Sequence, residues 1–198
     1  MGFATIDDVK ISLGIALSDT SQDARIQAYV NAANAELLTL FGLDTVNPTV
    51  YTNKYDIITT PEPGFWLIQY PVIDIQSVTV DGDVIDSDEY YLARPQKFGC
   101  INRKNGYWDV SNQYIEVSHT AGFAVVPPQL TRAAVLLAIY MYNTEPKEGF
   151  EREKIGQYMY RLAGSVSIEG YGGAAAGGWP AGVSRILSQW IRPFASVS

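Results

Sequence analysis

The sequence predicts an α+β protein: a helical bundle of two N-terminal helices, a buried central helix and a packing helix, with an inserted antiparallel β block and a tethered C-terminal helix. Three observations carry this. Apolar residues recur at helical spacing over residues 6–41 and again from residue 130 onward. Between them, from Pro48 to Phe123, β-branched and aromatic runs alternate with Gly, Pro, Asn and Asp, the texture of short antiparallel strands. The chain of 198 residues is 47% apolar and 12% aromatic, which supplies material for one packed core. A chain of this size can bury roughly 70% of its unfolded surface.

The first helix is announced by Thr5 and Asp8, spaced as a capping box, and by Ile6, Val9 and Leu13 before Gly14. Ser21, Asp23 and Ala24 open a second. Its apolar face is Ile26, Tyr29, Val30, Ala33, Leu37, Leu40 and Phe41; Gln27, Asn31, Asn34 and Thr39 form the polar face, and Gly42 ends it. Strands are expected over 51–59, 65–70, 77–80, 84–85, 90–93, 100–103 and 114–119. Asp81-Gly82 between Val80 and Val84 suits a tight hairpin that needs positive φ. Pro127 and Pro128 precede an all-round apolar run from Leu130 to Tyr142, which reads as a buried helix too short to span a bilayer. The packing helix is expected over 150–162, with Ile155, Tyr158, Met159 and Leu162 on one side. Residues 164–182 are a Gly-rich spacer. Beyond it Val183, Ile186, Leu187, Trp190, Ile191 and Phe194 follow the spacing of an amphipathic helix, with Arg185 and Arg192 elsewhere on the wheel. The domain plan is therefore 1–163, comprising helices over 1–47, the β block over 48–123 and core helices over 124–163, then the linker 164–182 and the terminal helix 183–198.

Fourteen Lys and Arg against 21 Asp and Glu give a net charge of −7, unevenly spread. Residues 1–89 hold 3 basic and 14 acidic side chains, a balance of −11; residues 90–198 hold 11 and 7, a balance of +4. Such an acidic balance argues against a broad phosphate-gripping surface. No stretch reaches the ~18 apolar residues of a membrane helix, and the opening residues lack the order of a signal peptide.

The catalytic inventory is thin. One cysteine, Cys100, and one histidine, His119, leave no disulfide framework, thiolate zinc site or histidine relay. His119 lies on an alternating strand without a Gly-x-Ser-x-Gly elbow to supply a nucleophile, and Cys100 reads as a small buried hydrophobe. Asp81, Asp83, Asp86, Asp88 and Glu89 crowd nine positions, yet Ile85 stands at a ligand position of a calcium loop and Asp86 where its glycine belongs. They read as a solvated hairpin and turn. The glycines of 164–182 lack the Gly-Lys-Ser/Thr ending of a phosphate loop. Tyr55, Tyr70, Tyr90, Tyr91, Tyr107, Trp108 and Tyr114 either pack cores and interfaces or form a stacking platform for sugar or nucleic acid. The terminal helix either folds back on its own domain or docks on a partner through Trp190, Ile191 and Phe194. No cofactor is called for, and the sequence does not read as an enzyme.

Three stretches taken in order resemble the head-tail connector proteins of tailed bacteriophages, also called adaptor or head-completion proteins. The first is the opening helix pair, with Ile6-Asp7-Asp8-Val9-Lys10 and then 23–42. The second is Tyr70-Pro71-Val72-Ile73-Asp74-Ile75-Gln76-Ser77-Val78-Thr79-Val80-Asp81-Gly82 with Asp88-Glu89-Tyr90-Tyr91-Leu92 and Gly99-Cys100-Ile101. The third is Ile115-Glu116-Val117-Ser118-His119-Thr120-Ala121-Gly122-Phe123 followed by Val126-Pro127-Pro128-Gln129-Leu130 and Ala133-Ala134.

The resemblance covers roughly residues 5–163. It implies a structural virion subunit of a homo-oligomeric ring, commonly of 12 copies. The ring lies beneath the portal protein, meets the stopper, tail or collar on its other face and lets double-stranded DNA pass without sequence-specific binding. Its place is the virion head-tail interface, reached from the host cytoplasm during assembly, with no membrane contact. On that reading Val183, Ile186, Leu187, Trp190, Ile191, Phe194, Arg185 and Arg192 bind the portal or a neighbouring subunit. Asp81, Asp83, Asp86, Asp88 and Glu89, or loops near Asp44 and Asp56, face the channel. Two other readings stand beside it: another phage structural ring, such as a tail terminator or minor capsid protein, and a sugar- or peptide-binding β module.

Overall fold

The computed structural model describes residues 2–57, 60–93, 98–109, 111–144, 153–155, 158–160 and 179–190. Two compact units result, one built from residues 38–126 and the other from residues 2–37 together with 127–198.

In the second unit the capping box at Thr5 forms as its spacing demands. The Thr5 amide donates to Asp8 Oδ2 at 2.8 Å and the Asp8 amide donates to Thr5 Oγ1 at 3.3 Å, starting α1 (Ile6–Leu13). The next helix, α2 (Asp23–Phe41), buries Ile26, Val30, Ala33 and Leu37, the expected apolar stripe. Asn34, expected on its polar face, instead accepts from the Ala4 amide at 3.0 Å and donates to the Ala4 carbonyl at 3.1 Å, holding the segment before α1 against it. The connection between α1 and α2 wraps around Lys10. Its side chain is buried, and Nζ donates to Leu17 O at 3.0 Å, Asp19 O at 2.7 Å and Asp23 Oδ1 at 2.8 Å. All three ammonium hydrogens are thereby used, which is what makes a buried lysine tolerable.

Helix α3 (Pro128–Thr144) begins with proline in its first turn, where no N–H is needed. Leu130, Ala133, Ala134, Leu137 and Ala138 are fully buried, and from Leu130 to Tyr142 only Arg132 is exposed, as the apolar run predicts. Arg25 lies over the Tyr142 ring at 4.6 Å, and Tyr29 meets the same ring edge-on. The last helix, α4 (Ala181–Leu187), packs on α3 with Val183 and Leu187 fully buried.

One expected element is replaced. Within the stretch read as a packing helix, the described residues form β8 (Glu153–Ile155) and β9 (Tyr158–Tyr160), paired antiparallel with Ile155 opposite Tyr158. Gly156, which would cost about 1 kcal/mol inside a helix, falls between them, and Gly-Gln in a two-residue gap is hairpin composition. The spacer 164–178 and the terminal residues 191–198 lie outside the described residues, and the helix read from residue 183 begins at Ala181.

The unit of residues 38–126 is a pair of antiparallel sheets. Its strands are β1 (Thr49–Ile57), β2 (Gly64–Trp66), β3 (Val72–Val80), β4 (Asp83–Val84), β5 (Tyr90–Ala93), β6 (Cys100–Arg103) and β7 (Ser111–Ala121). The order is β1-β7-β3-β4 in one sheet and β2-β6-β5 in the other. Ile115, Val117, His119 and Ala121 alternate inward along β7, which pairs with both β1 and β3. Tyr55, Ile57, Val72 and Val78 of the first sheet join Phe65, Tyr90 and Ile101 of the second, with Leu67 and Trp108, in one core. Phe65 sits 4.9 Å from Tyr55 and 5.3 Å edge-on to Trp108. Phe41, at the end of α2, is held edge-on between Tyr70 at 5.3 Å and Phe123 at 5.2 Å. Strand β3 starts five residues before its predicted beginning, because register shifts after Val72 and after Ile75 break the alternation from which it would be read.

Candidate interaction surfaces

Of the five acidic residues singled out, all are exposed. Asp81 (φ 54) and Gly82 (φ 91) both take positive φ between Val80 and Asp83, which face each other across the β3–β4 pair, so the Asp-Gly turn has the type I′ form. The Ile85 amide donates to Val78 O at 2.9 Å, and Ile85 packs partly against the core, fixing the hairpin on its sheet. Val84 is left 72% exposed among the carboxylates.

The cluster divides chemically. Glu89 pairs with Arg103, whose guanidinium also lies 4.6 Å over the Trp108 ring, and Asp88 lies 3.9 Å from Lys104 Nζ. Asp81, Asp83 and Asp86 have no cationic partner among the described residues. No three His, Cys, Asp or Glu side chains among the described residues are placed to hold a metal ion.

A second surface lies between α3 and α4. Gln129, Arg132 and Leu136 of α3 with Gly182, Arg185 and Ile186 of α4, and Gln189 just beyond, line a groove of about 380 Å³. Its apolar residues are Leu136 and Ile186; its charges are the exposed Arg132 and Arg185, neither of which meets a carboxylate among the described residues. The terminal segment thus has two uses. Val183 and Leu187 are spent on the chain's own α3, Arg185 and Ile186 line the groove, and Trp190 is half-buried. Ile191, Arg192 and Phe194 lie outside the described residues. Sequence reasoning missed the α3 side of this groove, although Arg132 gave a signal as the one charge inside an apolar run.

Of the aromatic residues considered as a platform, Tyr55, Tyr70, Tyr90 and Trp108 are buried, and only Tyr91, Tyr107 and Tyr114 are exposed. Burial pushes the Tyr90 phenol above its ordinary 10.0, and the nearby Asp74 adds to the shift. Cys100 is half-buried with Sγ 3.1 Å from Asn102 Oδ1, and His119 is wholly buried with its ring near Tyr51.

Apolar contact and charge pairing are what these surfaces offer, the equipment of a structural subunit that joins other proteins. The profile of the head completion protein family matches residues 3–153, and the chain belongs to that family. Solved structures share its fold. A chain from the neck of an empty gene transfer agent (GTA) particle, computed with C6 symmetry, is 15% identical at a TM-score of 0.57, over 98% of this chain and 91% of that one. One from the neck of a native GTA particle, computed with C12 symmetry, is 15% identical at a TM-score of 0.53, over 88% and 86%. One from the virion of a native gene transfer agent particle is 16% identical at 0.56, over 98% and 89%. No curated protein matches the sequence. Among the described residues no helix is long and apolar enough to cross a membrane.

Proposed function

We propose that this chain is a structural, non-enzymatic subunit of a ring, of about twelve copies as the resemblance implies, at the neck of a phage-like virion. There it joins the portal side of the head to the stopper, tail or collar. The observation that carries this is membership of the head completion family over residues 3–153. The fold shared with neck chains computed with C6 and C12 symmetry agrees with it, since such symmetry places copies about an axis.

Double-stranded DNA passes through the ring. The unit of residues 38–126 holds 11 acidic and 5 basic side chains, a balance of −6. A wall of that sign repels phosphate and lets the duplex slide where a basic wall would hold it. Val183 and Leu187 secure α4, and Trp190 with Ile191, Arg192 and Phe194 meets the portal.

The test is deletion of the gene followed by electron microscopy of the particles. DNA-filled heads without tails, restored by the gene supplied separately, are expected. Tailed particles assembled without the protein would overturn the proposal.

A further inference from the structure

We propose that the α3–α4 groove of one copy receives the β3–β4 hairpin of a second copy, setting Arg132 and Arg185 against Asp83 and Asp86 around Val84. This rests on the ring reading and specifies the seam between ring neighbours.

The two surfaces match in two independent respects. The groove is lined by apolar Leu136 and Ile186 and by two exposed arginines, Arg132 and Arg185, that meet no carboxylate among the described residues. The hairpin carries an exposed apolar residue, Val84, flanked in sequence by Asp83 and Asp86, exposed carboxylates that meet no cation among the described residues. At about 380 Å³ the groove has room for a side chain and not merely for water, whose share is ~30 Å³ each. The hairpin is preorganised by its Asp81-Gly82 turn and the Ile85 anchor, so little ordering opposes docking.

Each copy therefore owns both halves of the contact. On the ring reading the hairpin of each copy enters the groove of the next, a heterologous contact of the kind that closes into rings. It also removes Asp83 and Asp86 from the channel wall and leaves that role to other acidic positions such as Asp44 and Asp56.

The test uses reversed charges at exposed positions, in particles whose own gene is deleted and replaced. Variant one is Arg132→Glu with Arg185→Glu; variant two is Asp83→Arg with Asp86→Arg. Thermal melting by circular dichroism first confirms that each remains folded. Electron microscopy then counts heads bearing a neck ring. Each variant alone is expected to lower that count on the order of tenfold or more, as charge pairs at a seam do when reversed. Variants one and two supplied together should restore it, since alternating copies again pair arginine with carboxylate at every seam. Rings with either variant alone would overturn the seam and leave the ring reading standing. Rings lost in both and not restored by the mixture would overturn it too, assigning the groove to a different partner such as the portal or DNA. Absence of a ring with the wild-type chain would sink both proposals.

Discussion

Whether the terminal helix is a free arm or part of the fold is decided by one side chain. Leu187 is fully buried in the seven-residue α4, against α3. Truncating a buried leucine to alanine costs about 2.7–5 kcal/mol in well-packed sites, with the larger values where the surroundings cannot collapse. Here a groove adjoins α4, and a short helix near the chain end can settle, so the lower part of that range, about 3 kcal/mol, is expected. For a chain of this length each kcal/mol moves Tm by about 2–4 °C, so Leu187→Ala should melt about 6–12 °C early. The assay is scanning calorimetry or thermal circular dichroism, with Gln189→Ala, an exposed change two residues away, as the control expected within about 0.5 kcal/mol of wild type. If Leu187→Ala melts with the wild type, α4 is not packed on α3 in solution, and the reasoning that assigns Val183 and Leu187 to the fold fails. The same burial makes deletion of residues 182–198 a poor probe of partner binding, because it strips apolar cover from α3.

Lys10 and Asp23 give an ordering test. Asp23→Ala leaves a buried ammonium with only two carbonyls, whereas Lys10→Met removes the charge with the need for it, so by urea unfolding Asp23→Ala should cost more, about 2 kcal/mol given that the carboxylate is one-third exposed; the reverse order would contradict this account. Tyr90 sets an alkaline limit. Its folded pKa lies above the unfolded 10.0, so its contribution is complete below pH 10.0 and declines as pH rises through the folded value, a decline that Tyr90→Phe should remove from the stability profile.

What the sequence made legible was local. The Val78–Ile85 hairpin could be read because Asp-Gly between apolar residues has few other uses, and α2 because nineteen residues carry one consistent stripe. Strand β3 lost its first half to bulges, which displace side chains from strict alternation. At 153–155 and 158–160 strands stand where a helix is expected, because Tyr, Met and Ile satisfy a helical and a strand pattern over so short a span, and Gly156 is the residue that argues against the helix. Polarity alone puts Asn34 outward, yet a half-buried amide is satisfied when a backbone N–H and C=O receive it together. For the terminal segment, spacing identified the apolar face. It could not say whether that face meets its own core or another chain, because both are apolar.

Charge shows the same limit and leads to a last expectation. The halves of the sequence differ as −11 and +4, yet the folded units differ as −6 and −1, since residues 2–37 and 127–198, holding 10 acidic and 9 basic side chains, fold together. Part of the N-terminal acidity is thereby balanced within one unit, where residues 2–37 hold 5 acidic and 2 basic side chains and residues 127–198 hold 5 and 7. What survives is one acidic unit, residues 38–126, and one nearly neutral unit whose groove presents two arginines. A seam of exposed charges is screened over about 10 Å at 0.1 M salt, whereas the cores around Trp108 and Leu137 are apolar and insensitive to it. Raising salt should therefore dissociate rings well before it unfolds subunits. Native mass spectrometry and circular dichroism on the same salt series would show two separated transitions. Coincident transitions would mean that the subunits are held together by the forces that fold them, and the charged seam would lose its role.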